Sequence, residues 1–217
     1  MGRLELMKNL NKQFFIHRQT LGVLGIVLPF ACLLFGWLDP AATSTWYGSM
    51  SATYFTNARD IFVAVLMMTG VFLITYTGYD WRDKLVNISA GILAMGIALF
   101  PTSPKGLEVT HIGLFSLPIP VASMLHNICA IVFFGLLALN ILWLFTKGDT
   151  SNHKKRERNK IYMICGWGIV GMFAVTAIGV YFNFHVMWIW IVEAIMLVLF
   201  GVAWLVKGKA IKLLNDI

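Results

Sequence analysis

The sequence predicts an all-α, polytopic membrane protein: a bundle of six transmembrane helices with both termini cytoplasmic. Three observations predict it. First, the 217 residues are 59% hydrophobic and only 12% charged, with mean hydropathy +0.76. A soluble domain carries about 25% charged residues, so this chain has too little polar surface to face water. Second, the apolar residues gather into six runs, each near the roughly 20 residues needed to cross hydrocarbon. Third, the charge around those runs is lopsided. Of 17 Lys and Arg residues, fifteen lie in the N-terminal segment, the 80–84 turn, the 147–160 loop and the C-terminal tail, and only Arg59 and Lys105 lie in the alternate segments. Cytoplasmic loops concentrate Lys and Arg, which puts both termini inside. The net charge of +7 follows from the same rule, so nucleic acid is not an expected partner.

The expected spans are about 19–38, 60–79, 85–101, 119–146, 161–182 and 186–206, each helical because hydrocarbon offers no partner to a free backbone group. With their connections they use almost the whole chain, so a single domain, 1–217, is expected. The first run follows Arg3, Lys8, Lys12 and Arg18 and is long enough to span, which reads as a membrane helix without a secretory leader. The segment before the second run is rich in hydroxyls (Thr43, Ser44, Thr45, Ser49, Ser51, Thr53, Thr56), a composition that suits capping of a helix start. Asp80, Arg82, Asp83 and Lys84 read as a solvated turn between the second and third spans. Gly91 and Gly96 in the third span suit close helix packing, and Asn87 and Asn140 suit hydrogen bonds between helices.

In the fifth run, Gly166-x-Gly168-x-x-Gly171 has the spacing of a dinucleotide fingerprint. No strand precedes it and its context is an apolar helix, so helix packing is the better reading. The basic run 153–158 reads as a topology determinant, with an anionic-lipid patch as the alternative. Trp46, Tyr47, Trp81, Trp143, Tyr181, Trp188 and Trp204 lie near span ends, where aromatic side chains anchor at the interface. Cys32, Cys129 and Cys165 all fall in spans without CxxC spacing, which argues against a disulfide framework or a thiolate metal site.

Polar groups inside a bilayer are costly and are functional candidates by default. With the termini inside, they cluster in the outer half. Ser51, Arg59 and Asp60 lead into the second span, and His126 and Asn127 lie about two turns into the fourth. Glu193 lies about two turns into the sixth span, His185 just before it, and His111 in the second outer loop. Glu193 is the least expected of them, a carboxyl group among Trp190, Ile191, Val192 and Leu197 that needs a proton, a partner or water. His126, Arg59 and a bound cation are its candidate partners.

The segment Thr53-Tyr54-Phe55-Thr56-Asn57-Ala58-Arg59-Asp60-Ile61-Phe62, with Ala90-Gly91, Ala98-Leu99-Phe100-Pro101-Thr102, His126-Asn127 and Phe133-Phe134, resembles uncharacterised bacterial six-helix membrane families related to the DRAM/Frag superfamily. The resemblance covers parts of the second to fourth helices. It implies six spans, cytoplasmic termini, a bacterial inner membrane and a link to lipid-anchor remodelling, with Arg59, Asp60 and His126 inside the matching segments. A looser likeness is to alkaline-ceramidase-like membrane hydrolases, which combine Ser, Asp and several His around zinc near one membrane face. That group has seven spans, whereas this chain has six and lacks a paired-histidine motif late in the sequence.

Three functions are therefore expected, in order. The first is a lipid-handling protein whose outer pocket (Ser51, Arg59, Asp60, His126, Glu193) binds a headgroup, with Arg59 on the phosphate. The second is a metal-dependent hydrolase of lipid esters or amides. Zinc would be held there by His126, His185 and His111 or Asp60, with Glu193 as catalytic base. The third is an ion- or proton-coupled transporter built on Glu193. Membrane lipids are the expected partners, and a homo-oligomer is compatible with the sequence.

Overall fold

A computed structural model describes residues 2–38, 48–78, 80–103, 110–148, 150–182 and 187–215. The chain is mostly helical. Among the described residues, α1 spans Arg3–Trp37, α2 Arg59–Thr75, α3 Trp81–Leu99, α4 Ile119–Leu139, α5 His153–Tyr181 and α6 Met187–Lys207. A 3-10 segment, Met50–Phe55, precedes α2, and a two-stranded hairpin, β1 (His111–Ile112) with β2 (Leu117–Pro118), precedes α4. The stretches Asn9–Trp37, Ile119–Leu144, His153–Gly179 and Met187–Lys207 are long and apolar enough to cross a membrane. Large apolar side chains also cover outward faces, among them Phe30 and Leu34 on α1, Ile128 and Ile131 on α4, and Ile164 and Trp167 on α5. Both features are compatible with a membrane location. α2 has 17 residues, roughly 26 Å of helix. α3 has 19 residues but spends its first turn on Arg82, Asp83 and Lys84.

Two helices begin well before their apolar runs. α1 starts at Arg3 because Leu4, Glu5, Leu6, Met7 and Lys8 are good helix formers, and no Gly or Pro intervenes before Gly22. The basic stretch from His153 is likewise the first turns of α5. The 80–84 stretch is not a solvated turn. The Asp80 side chain caps α3, accepting from the backbone N–H groups of Arg82 (2.9 Å) and Asp83 (3.1 Å), and Asp83 is 2% exposed.

Helix order follows from contacts at the ends. Gln19 donates to the Gly208 carbonyl (2.8 Å) and His17 to that of Phe72 (2.6 Å), which brings the early part of α1 beside the ends of α6 and α2. Lys147, just after α4, reaches Asp80 and Asp83 at the start of α3. The opposite end holds the 3-10 segment, the starts of α2, α4 and α6, and the end of α3. Successive helices thus alternate in direction. The basic residues collect at the first of these ends, called here the basic end.

Glycines set the closest approaches. A Cβ on Gly22 would stand 2.8 Å from the Gly201 carbonyl oxygen, and one on Gly201 2.6 Å from that of Gly22, so α1 and α6 meet backbone to backbone. Gly70 and Gly91 do the same for α2 and α3. Gly166 and Gly168 face Leu142 and Leu199, whereas a Cβ on Gly171 would meet nothing within 4 Å, so only part of the G-x-G-x-x-G run serves packing. The core near the basic end is aromatic: Trp204 packs edge-on to Tyr76 (5.0 Å) and Phe145 (4.9 Å). Trp204 is fully buried, not an interfacial anchor, while Trp81 and Tyr181 are 69% and 79% exposed and keep that reading. Trp46 and Tyr47 lie outside the described residues.

Gly201→Val should lower the midpoint of thermal unfolding in detergent, by an overpacking cost of about 1–3 kcal/mol. Gly171→Ala should leave it unchanged or raise it, because Ala is the better helix former and has open space there.

Candidate functional site

Of the hydroxyls of the segment before α2, Thr43, Ser44 and Thr45 lie outside the described residues, and those of Ser49, Thr53 and Thr56 are spent locally. Ser49 Oγ accepts from the Ala52 N–H (3.2 Å), Thr53 Oγ1 donates to the Met50 carbonyl (2.6 Å), and Thr56 Oγ1 donates to that of Thr53 (2.8 Å) while accepting from the Ala58 N–H (3.0 Å). These bonds hold the 3-10 turn and the start of α2, the capping role the composition predicts. Ser51 is different, because its hydroxyl leaves the segment and meets His126.

His126 on α4 is 3% exposed and Ser51 8%. The ring joins three elements: Nδ1 lies 2.7 Å from the Phe100 carbonyl at the end of α3, and Nε2 lies 2.8 Å from Ser51 Oγ. A carbonyl can only accept, so Nδ1 carries a proton. In the neutral ring Nε2 is then the acceptor, and Ser51 donates to it. One residue back in the 3-10 segment, the Met50 N–H donates to Glu193 Oε2 on α6 at 2.7 Å. The partner of Glu193 is therefore a backbone donor, not His126 or Arg59. Segment 50–55 is pinned to α4 through Ser51 and to α6 through Met50.

Beneath these bonds lies a cavity of ≈ 30 Å³, room for one or two water molecules. Ser51 and the half-buried Glu193 are its polar walls, and Leu28, Phe62, Leu66, Phe133, Phe134 and Leu197 are among its apolar ones.

The other sequence candidates divide. Arg59 is exposed at the start of α2, with its guanidinium 4.5 Å above the Tyr54 ring and donating to the Tyr54 hydroxyl (3.0 Å). It thus covers the 3-10 segment from outside. Asp60 is exposed in the first turn of α2, where a negative charge suits the helix dipole. Asn127 is exposed and turned away from its buried neighbour His126. His111 is exposed on β1 beside the Thr110 hydroxyl (3.1 Å). His185 lies outside the described residues. Among the described residues no three His, Cys, Asp or Glu side chains stand close enough together to hold a metal ion.

The basic end holds polar structure that sequence reasoning missed. Lys147 Nζ sits 3.0 Å from Asp80 Oδ2 and 2.7 Å from Asp83 Oδ1, tying the α3 start to the α4 end. Its hydrogen bonds hold the Asp80 carboxyl below the usual range, with the helix-start N–H groups assisting. The two carboxylates, Asp83 first, push the Lys147 ammonium up. Below them Asn140 donates to Asn87 (2.7 Å), as the sequence suggests, and Asn87 donates to the Asp83 carbonyl (2.7 Å). Lys207, at the end of α6, is 8% exposed and donates to the Phe145 carbonyl (3.3 Å). Asp83 and Lys207 look like ordinary solvated charges in sequence, and only chain neighbours 64 and 62 residues away bury them.

Comparison with protein-family models, curated proteins and solved structures finds no match.

Ser51→Ala should cost about 1 kcal/mol, the usual scale of a hydrogen bond between membrane helices. Glu193→Gln should cost little because its amide oxygen still accepts from Met50, whereas Glu193→Leu should expose segment 50–55 to limited proteolysis. The Lys147 cluster sets a pH window. Asp80, depressed in the folded state, contributes stability present above its unfolded pKa and lost as pH falls through the folded value. Lys147, raised, contributes stability present below its unfolded pKa and lost as pH rises through the folded value. A plateau of thermal stability between those limits should therefore lose its shoulders in Lys147→Met.

Proposed function

We propose that the chain is a six-span membrane protein, termini cytoplasmic, that takes the headgroup of a lipid or lipid anchor in the outer half of the bilayer. A bacterial inner membrane and the relationship to DRAM/Frag families belong to the same proposal. The observation that carries it is the cavity under segment 50–55. Its walls are apolar except for Ser51 and Glu193, a lining that suits an amphiphile better than an ion path. α2 and α3 become spans because they pack against each other through Gly70 and Gly91, and Tyr76 and the Asp80 cap close the turn between them.

At ≈ 30 Å³ the cavity is closed to a headgroup, so binding requires segment 50–55 to lift. Among the described residues, the bonds of Ser51 to His126 and of Met50 to Glu193 would have to break. On lifting, Arg59 would meet the phosphate, Ser51 and His126 would hydrogen-bond to the headgroup, and Glu193 would pair an amine. Asp60, exposed beside Arg59, tempers the positive charge at the rim.

A hydrolytic reading has one specific observation in its favour, the direction of the Ser51–His126 bond. A serine that donates to an imidazole held by a carbonyl is arranged for attack on a lipid ester. Ser51 Oγ would bond the carbonyl carbon while its proton passes to Nε2. The alcohol would then leave with that proton, and water would release the acyl group from Ser51. The zinc version would instead require His126 to give up one of its two present partners, with Zn supplying the activated water.

Photocrosslinking with a phospholipid carrying a headgroup-proximal photoreactive group tests the primary reading. Crosslinks should map to 50–62 and 126–134 and fall several-fold in Arg59→Ala, an exposed substitution that leaves the fold intact. An unchanged crosslink pattern in that variant sinks the proposal. Covalent labelling of Ser51 by a fluorophosphonate, lost in His126→Ala, would favour the hydrolase instead.

A further inference from the structure

A second, larger cavity than the one under segment 50–55 lies at the other end of the molecule, and neither the headgroup proposal nor the hydrolytic one uses it. It measures ≈ 330 Å³ and is lined by Arg18, Lys147, Lys155, Arg158, Lys207 and Lys209, together with Gly148, Asn152, Tyr162 and Val206. That volume is within the range of small-ligand sites. The six cations come from α1, α5, α6 and the segments that follow α4 and α6, so the fold assembles the pocket from positions far apart in sequence. No carboxylate is among its described lining residues; Asp80 and Asp83 are engaged with Lys147 at its edge.

The cations are held toward one another by the backbone. The chain leaves α4 through a single π turn, Asn140–Leu144, with the Phe145 N–H bonding back to the Asn140 carbonyl (3.0 Å). The Phe145 carbonyl, itself outside the lining, accepts from two of the lining residues. Lys155 Nζ donates to it at 3.0 Å and Lys207 Nζ at 3.3 Å. Two ammonium groups thus converge on one neutral oxygen, which supplies no negative charge to offset their repulsion. Arg158 is steered by the Leu214 carbonyl (2.6 Å). Arg18 lies 5.5 Å from the Tyr76 ring centre, and its Nε is buried without a hydrogen-bond partner. A buried charged donor left unmatched is costly, and here it belongs to a residue of the pocket wall.

We propose that this pocket binds a phosphate-bearing anion. The geometry suits phosphate better than carboxylate, because cations approach from several sides, as a tetrahedral oxyanion with several acceptor oxygens requires. The buried floor of Tyr162, Val206 and Lys207 and the rim of Asn152, Lys155 and Lys209 leave room for one phosphate group with a small polar substituent. The source is either the headgroup of an anionic lipid in the adjoining leaflet or a soluble phosphoanion.

The test uses the full-length protein in neutral detergent at constant ionic strength. One arm adds inorganic pyrophosphate against chloride; the other adds phosphatidylglycerol against phosphatidylcholine in mixed micelles. Thermal unfolding is read in each, since a ligand of the folded state raises the midpoint with concentration. The expected result is a saturable rise with at least one of the two anions. The apparent affinity should weaken about tenfold or more in Arg158→Gln and in Lys209→Gln, the second variant serving if the first folds poorly. It should not change in Lys84→Gln, a basic residue of the same end outside the pocket. A response to phosphatidylglycerol alone assigns the site to a lipid headgroup, and a response to pyrophosphate alone to a soluble anion. No rise with either, or equal weakening by Lys84→Gln, overturns the proposal in favour of diffuse surface charge.

Discussion

A chain this apolar has little water with which to satisfy a buried donor or acceptor, and the structure depends on how that constraint is met. Inside each helix the backbone satisfies itself. The difficulty is concentrated at helix ends and at the few polar side chains within the runs, and several of these are answered by a neighbour distant in sequence. The Phe100 carbonyl at the end of α3 takes the His126 ring, the Met50 N–H takes Glu193, and the Phe145 carbonyl takes two lysines. Such bonds specify which helix ends meet. The glycine pairs between α1 and α6 and between α2 and α3 then decide how closely the helices approach.

The two ends meet the constraint with different chemistry. At the end holding segment 50–55 the long-range bonds are few: a hydroxyl to an imidazole and a backbone N–H to a carboxyl group. Bonds of that kind are worth about 1 kcal/mol each between membrane helices, so a segment held by two of them can move while the helices stay packed. At the basic end the bonds involve charge. Lys147 bridges two carboxylates, and Asp83 is almost fully buried. Breaking one partner of such a group leaves the other uncompensated, which costs far more than a neutral hydrogen bond. The two ends are therefore held by bonds of different strength.

The helices and the outer cluster were legible in sequence to different depths. Apolar run length locates α6 and the start of α4 almost to the residue, but it runs on to 146, past the end of α4 at Leu139 and through the π turn Asn140–Leu144. It misplaces the starts of α1 and α5, because hydropathy ends at Arg18 and Lys160 while helix propensity continues through the polar residues before them. His126 and Glu193 stand out in sequence because polar residues are rare inside apolar runs, Ser51 only as part of the polar segment leading into one, and the structure does place all three around that segment. Asn127 and Asp60 stand out for the same reason yet face outward, since composition carries no direction. Asp83 and Lys207 were illegible for the opposite reason. A charge beside other charges at a span end looks solvated, and only the fold reveals that α4 and α6 close over them.

The π turn at the end of α4 links the basic end to its chemistry. A regular α-helical ending would leave its last carbonyls to water or to a capping residue. Widening one turn re-aims the chain so that the Phe145 carbonyl points between α5 and α6, while the Phe145 ring packs on Trp204 and Tyr162. The ring holds the backbone still, and the carbonyl holds two ammonium groups at the head of the cavity. A neutral acceptor is well suited to that task. A carboxylate in its place would add negative charge beside the pocket, whereas a carbonyl positions the two lysines without adding any. Phe145 thus does through its backbone what an acidic residue would do through its side chain, without competing for the ligand that the cations attract.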